Sequence, residues 1–181
     1  MRKLVLQMQT SIDGYISGPD GLDWAVPDFK DPSYVKWEVD KIWQAGAHLM
    51  GSATYREMAA TWPTSKEPFA PPMNEIPKIV FSREMKETPW GETRIVSGDL
   101  AEEITRLKQE SGKELLAHGG VRFAQSLVAT GLIDEYRLLV HPVAIATGKP
   151  LFSAKAGRLR LRLKEAVTLD NGVVASIYLP P

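Results

Sequence analysis

Glu114-Leu115-Leu116-Ala117-His118-Gly119-Gly120-Val121-Arg122-Phe123-Ala124-Gln125-Ser126-Leu127-Val128-Ala129-Thr130-Gly131 contains a whole structural unit. A short apolar run, Glu114 to Ala117, predicts a buried strand. His118-Gly119-Gly120 is a turn, and Val121 to Thr130 predicts a helix closed by Gly131. A second unit of the same kind stands upstream: Ala47 to Met50 as a strand, Gly51-Ser52-Ala53-Thr54-Tyr55 as the turn, and a helix to about Ala60. Strand, glycine turn and helix in that order mark an α/β architecture. The turns matter chemically as well. Glycine lets the backbone approach a ligand, and a helix N-terminus offers free N–H groups and the positive end of a dipole. Two such turns are able to hold two phosphates, although α/β proteins also use glycines there for connection alone. Neither is a Gly-x-Gly-x-x-Gly fingerprint, and the chain has no Gly-Lys-Ser/Thr phosphate loop.

Outward from these units the pattern continues. Leu4 to Thr10 predicts a first strand, and the glycine- and aspartate-rich segment Ser11 to Gly21 an ordered loop. Asp31 is an N-cap with Pro32 at the first helical position; Val35, Val39, Ile42 and Trp43 form the apolar face of that helix. The five prolines between Trp62 and Pro77 predict an extended surface connection. Lys78 to Ser82 and Thr93 to Val96 read as strands, Asp99 caps a helix ended by Gly112, and Ile133 to His141 is a long strand followed by a crossover, Pro142 to Phe152. Arg158-Leu159-Arg160-Leu161-Arg162-Leu163 alternates strictly and predicts a half-buried strand, with its arginines on one face. Asp170-Asn171-Gly172 turns it back into Val173 to Leu179. The expectation is one α/β domain over residues 1–181, a mixed, mostly parallel sheet with helices on both faces and a C-terminal antiparallel hairpin.

The chain has 181 residues, 22 Lys+Arg and 22 Asp+Glu, so its formal net charge is zero. That balance argues against a general nucleic-acid binder. With no cysteine, thiolate nucleophiles, disulfides and Cys-ligated zinc are excluded. There is no long apolar run for a membrane span or a signal peptide, and a cytoplasmic location is expected. His48 and His141 lack metal-ligand spacing, so no metal site is expected.

Thr10-Ser11-Ile12-Asp13-Gly14-Tyr15-Ile16, Leu49-Met50-Gly51-Ser52-Ala53-Thr54-Tyr55, Lys78-Ile79-Val80-Phe81-Ser82, Gly119-Gly120, Gly131-Leu132-Ile133-Asp134-Glu135, His141-Pro142-Val143 and Gly148-Lys149-Pro150-Leu151-Phe152 follow one another in a familiar order. This ordered set, from residue 2 to about 178, resembles the dihydrofolate reductase-like superfamily, and within it the stand-alone relatives of the reductase domain of the bifunctional riboflavin-biosynthesis deaminase–reductase. The resemblance implies a three-layer α/β/α fold, NADPH as cofactor, a small heterocyclic substrate and a homodimer. Thr54 matches the threonine that meets the cofactor phosphates, with Gly51 and Ser52 before it. Ser82 matches a serine near the adenosine 2′-phosphate. Gly119 and Gly120 match the pair passing the pyrophosphate and nicotinamide, with Val121 and Arg122 following. Trp24 matches a loop tryptophan next to cofactor and substrate.

Departures from the family pattern are informative. Where relatives have Gly-Arg-x-Thr, whose arginine selects the 2′-phosphate, this chain has Gly51-Ser52-Ala53-Thr54, and Arg83 is placed to supply the missing charge. Met58 and His118 replace acidic residues that serve the riboflavin-pathway substrate. Asp28 lies near, but not at, the place where dihydrofolate reductases carry the acidic residue of the first helix. His118, beside the glycine pair, is the candidate proton donor; the alternative is a purely structural bond in the turn. Asp13 is read as fixing its own loop. Two functional readings stand: an NADPH-dependent reductase of a pyrimidine- or pterin-like substrate, and a non-catalytic NADP(H)-binding protein of the same fold.

Overall fold

The computed structural model describes residues 1–153 and 157–181. Eight strands form one sheet in the order β5-β4-β3-β6-β1-β7-β10-β9: β1 (Leu4–Ser11), β3 (Ala45–Gly51), β4 (Lys78–Phe81), β5 (Thr93–Val96), β6 (Glu114–His118), β7 (Glu135–His141), β9 (Arg162–Thr168) and β10 (Val174–Leu179). The pairs from β5 across to β7 are all parallel, and β10 runs antiparallel to both β7 and β9. Two short strands, β2 (Tyr15–Ser17) and β8 (Lys149–Pro150), make a separate antiparallel ribbon.

Alternation along the strands divides the core into two layers. Leu4, Leu6, Leu49, Leu115 and Leu127 belong to one, which holds the apolar faces of α4 (Leu100–Gln109) and α5 (Val121–Thr130). Val5, Met50, Val80, Leu116 and Tyr34 belong to the other, under α1 (Pro32–Ile42), α2 (Ser52–Thr61) and α3 (Ala70–Glu75). Helices therefore cover both faces, as a mostly parallel sheet requires. Asp31 caps α1 by accepting from the Tyr34 N–H at 3.0 Å, and Asp99 caps α4 by accepting from the N–H groups of Ala101 and Glu102.

Three local expectations change. The proline-rich stretch is not an extended surface connection: it holds a 3-10 turn (Trp62–Thr64) and α3, and it buries Phe69, Ala70, Pro72, Met73 and Ile76. Proline is tolerated in a first helical turn, and Pro71 and Pro72 occupy that place in α3. The strand expected at 158–163 lies instead at Arg162–Thr168, and every residue of it is exposed. As an outer strand of the sheet it pairs with β10 alone among the described residues, and its alternation reflects neighbouring chain rather than a buried face. Arg158 and Arg160 are in no strand. Finally, α4 stops at Gln109 with Glu110 as its C-cap, ahead of Gly112.

Asp134 and Glu135, where the chain enters β7, tie the sheet together. Asp134 accepts from the Leu4 N–H and pairs with Lys108, both at 2.7 Å. Arg137, 2% exposed, lies between Glu135 and Glu114 at 2.8 Å from each. Removing one member of such a buried set strands the others. Arg137→Ala is expected to cost about 3–5 kcal/mol, read as a lowered urea midpoint.

Candidate active site

In an open α/β sheet the ligand crevice opens outside the carboxyl ends of the strands, where connections diverge. Here the chain goes from β1 outward through β3, β4 and β5, then returns to place β6 between β3 and β1. A cleft of about 560 Å³ lies at that edge, lined by the starts of α2, α4 and α5 and the ends of β4 and β5.

The helix starts at the cleft are not equivalent. Asp99 caps α4, and Glu102 and Glu103 stand in its first turn. The N-caps of α2 and α5 are Gly51 and Gly120; neither helix has a side-chain cap or an acidic residue in its first turn. Both helices thus turn free N–H groups and a positive dipole end toward the cleft. Gly120 is required by geometry. It sits at φ 80°, ψ 105°, and a Cβ there would lie 2.5 Å from Thr54 Oγ1. The starts of α2 and α5 therefore touch through Thr54 and the bare Gly120.

The sequence candidates Gly51, Ser52, Thr54, Ser82, Arg83, Gly120, Val121 and Arg122 all line this cleft. Ser82 Oγ accepts from the N–H groups of Glu84 and Met85, which leaves its O–H free to donate. Arg83 and Arg122 are exposed and make no ion pair among the described residues. Among the described residues, no Asp or Glu lines the cleft. Uncapped helix starts, a free hydroxyl and two unpaired guanidinium groups make an anion site. Ser97, Gly98, Phe123 and Ser126 also line it and were not singled out from sequence. Val96-Ser97-Gly98-Asp99 is in fact a third strand–glycine–helix turn, a signal open to sequence reading.

Three candidates lie outside this cleft. Gly119, at φ 25°, flanks it, with Met8 as the nearest side chain to a Cβ built there. Trp24 donates from Nε1 to the Gly21 carbonyl and packs edge-on against His141 at 5.3 Å. His118 ends β6 in register with Gln7 of β1. Its Nε2 is 2.8 Å from His48 Nδ1, and His48 Nε2 is 3.0 Å from the Pro72 carbonyl. The turn bond considered for His118 is thus a contact with a second histidine.

A polar row runs along this face of the sheet. Gln7 and Gln9 donate to Glu38 of α1 at 3.3 and 2.9 Å, and Gln9 Oε1 meets His141 Nε2 at 3.0 Å. His141 Nδ1 is 2.6 Å from Asp28. Asp28 thus lies in a 3-10 turn (Val26–Lys30), while the acid that α1 turns toward β1 is Glu38, whose carboxyl burial pushes up. Sequence reading missed Glu38, because its partners Gln7 and Gln9 lie 31 and 29 residues away along the chain.

The match to known proteins follows this layout. The model of the RibD C-terminal domain family matches residues 2–175. The chain belongs to that family. The Bacillus subtilis (strain 168) protein YyaP is 28% identical over 185 residues, covering 98% of this chain and 94% of YyaP. A crystal structure from Shewanella sp. PV-4, of a protein named for riboflavin biosynthesis, superposes with TM-score 0.80 at 25% identity over 99% of both chains. A dihydrofolate reductase from Enterococcus faecalis, solved with NADP(H), shares the fold with TM-score 0.65 at 13% identity, covering 98% of this chain and 96% of the enzyme. The fold is thus the α/β dihydrofolate reductase-like one, of the reductase type related to riboflavin biosynthesis.

Two outcomes test this geometry. Gly131, also at positive φ, would meet nothing with a Cβ. Gly131→Ala should cost about 1 kcal/mol, and Gly120→Ala about 2–4 kcal/mol through strain plus overlap with Thr54; equal losses in urea unfolding would refute the close approach. The two histidines should also make stability pH-dependent. Burial, with the facing Lys78 adding to it, lowers His48 to about 4; burial and then His48 hold His118 well below 6.5. Both folded values lie below the unfolded one, so their contribution is complete above pH 6.5 and is lost on acidification toward pH 4. The slope is up to ~1.4 kcal/mol per pH unit per histidine; because the raised Glu38 carboxyl acts in the opposite sense, the test is the urea midpoint of the wild type against His48→Leu between pH 6.5 and 5, and equal slopes would contradict it.

Proposed function

We propose that the protein is an NADPH-dependent oxidoreductase of a small heterocyclic, pyrimidine- or pterin-like substrate, working as a homodimer. One observation carries this reading: two uncapped helix starts, Ser82 and two unpaired arginines meet in one cleft without a carboxylate. Its anion-binding character suits a phosphorylated dinucleotide, and the neutral overall charge is no obstacle, because backbone N–H groups do much of the binding. The similar dihydrofolate reductase holds NADP(H) on this fold, which supports the assignment.

In this reading Gly51, Ser52, Thr54, Gly120 and Val121 hold the cofactor phosphates, and Arg83 and Ser82 hold the 2′-phosphate. Arg122 stands at the start of α5, where it adds charge to the same rim. Gly119 lets the chain pass the nicotinamide closely. When bound, NADPH supplies the hydride; the protein supplies position and electrostatics. The row of Gln7, Gln9 and Glu38, held together by its own hydrogen bonds, forms the wall at the substrate end. Trp24 closes that end against His141.

NADPH at 100 times its Kd should raise the melting temperature by about 5–10 °C. No shift with NADPH or NADH would refute cofactor use. Binding without oxidation of NADPH by the riboflavin-pathway pyrimidine or by dihydrofolate would favour the non-catalytic reading. Arg83→Ala should weaken NADPH about 10- to 100-fold and NADH far less; equal losses would remove Arg83 from 2′-phosphate selection.

A further inference from the structure

The order of hydrogen bonds around His48 has a chemical consequence at His118. A carbonyl oxygen only accepts, so the contact with the Pro72 carbonyl puts the proton of His48 on Nε2. His48 is fully buried and stays neutral, so its Nδ1 carries a lone pair and accepts. His118 Nε2, 2.8 Å away, must then donate. A neutral His118 that donates from Nε2 has a bare Nδ1. That nitrogen makes no hydrogen bond among the described residues and is not sealed from its surroundings.

We propose that His48 is a positioning residue: through the Pro72 carbonyl it fixes the Nε2–H tautomer of His118, so that His118 Nδ1, beside Gly119, is a hydrogen-bond acceptor for an N–H or O–H group of the bound substrate. The tautomer stands on the two ring contacts together with the neutral state of both rings; the substrate role rests on the reductase reading. In this arrangement the one proton of neutral His118 is committed to His48. The ring selects a donor-bearing ligand and disfavours a carboxylate at that point, and the proton for reduction comes from elsewhere. The rings lie 4.7 Å apart between β3 and β6. Lys78 of β4 is the charged group facing His48, and Gln7 of β1 is the neighbour of His118 in register. A protonated His48 would reverse the bond, donating from Nδ1 to His118 Nε2 and moving the proton of His118 to Nδ1, so the assignment needs the neutral state that the burial of His48 favours.

The chain has three histidines, so histidine-selective 15N NMR has six ring nitrogens to resolve. In the wild type at pH 7, His118 should show a bare Nδ1 and a protonated Nε2. His48→Leu removes the acceptor and should give a mixture of His118 tautomers. His48→Asn, whose side-chain oxygen is able to accept in place of Nδ1, should restore the single form. A protonated Nδ1 in the wild type, or a tautomer unchanged in His48→Leu, overturns the proposal; should His48→Leu not fold, the wild-type and His48→Asn spectra still decide it. With NADPH saturating, millimolar uracil, whose ring N–H groups are donors, should move the His118 Nδ1 signal, and an unmoved signal overturns the acceptor role. A failure of NADPH to bind in the melting assay would instead refute the reductase reading, leaving the tautomer result to stand or fall on its own spectra.

Discussion

The contact between Gly120 and Thr54 is the constraint on which the site depends. Helices α2 and α5 lie on opposite faces of the sheet, yet both begin at its carboxyl edge, with Thr54 Oγ1 where a side chain at 120 would have to be. Only a residue without Cβ, at positive φ, lets the end of β6 pass that close and still enter a helix. Two dipole ends then point into one cleft. The starts of α1 and α4 carry aspartate caps, Asp31 and Asp99. The starts of α2 and α5 are left bare, which costs helix stability and keeps their donors available.

Electrostatics in the chain are arranged by place rather than by total. Carboxylates are gathered where they anchor the sheet, at Glu114, Asp134 and Glu135, each against a lysine or arginine. The cleft carries arginines without acids. Between these regions runs a row of neutral or neutralised groups, His48, His118, Gln7 and Gln9, held by specific hydrogen bonds. In a low-dielectric layer such bonds determine which atom carries a proton.

Much of this was legible in the chain. Glycine turns and N-caps are local signals, and so the starts of α1, α2, α4 and α5 and the cleft residues from Gly51 to Thr54 and at Ser82 could be placed. Contacts between distant residues could not. His48 and His118 are 70 residues apart, and nothing in either neighbourhood announces the other. Glu38 looks like the solvent face of an amphipathic helix until β1 brings Gln7 and Gln9 beneath it. The proline stretch misleads because proline marks a chain reversal equally well when the chain is packed inside, as Pro72 is. The alternating arginines near 160 mislead because period-two patterning describes a strand's two faces without saying that either is covered.

The place of β1 in the sheet bears on how the chain is made. It precedes every other strand of the sheet along the chain and is one of the innermost, flanked by β6 and β7. Its first ties reach across 111 residues, from Arg2 to the Lys113 carbonyl, and 130, from Leu4 to Asp134. On a ribosome, the segment Leu4 to Thr10 must wait unpaired until most of the polypeptide has emerged. Gln7 and Gln9, which later serve Glu38, meanwhile interrupt what would be a continuous apolar strand with both edges open. The same two amides that complete the polar row thus make the nascent β1 segment less adhesive during the interval in which it lacks its pairing strands.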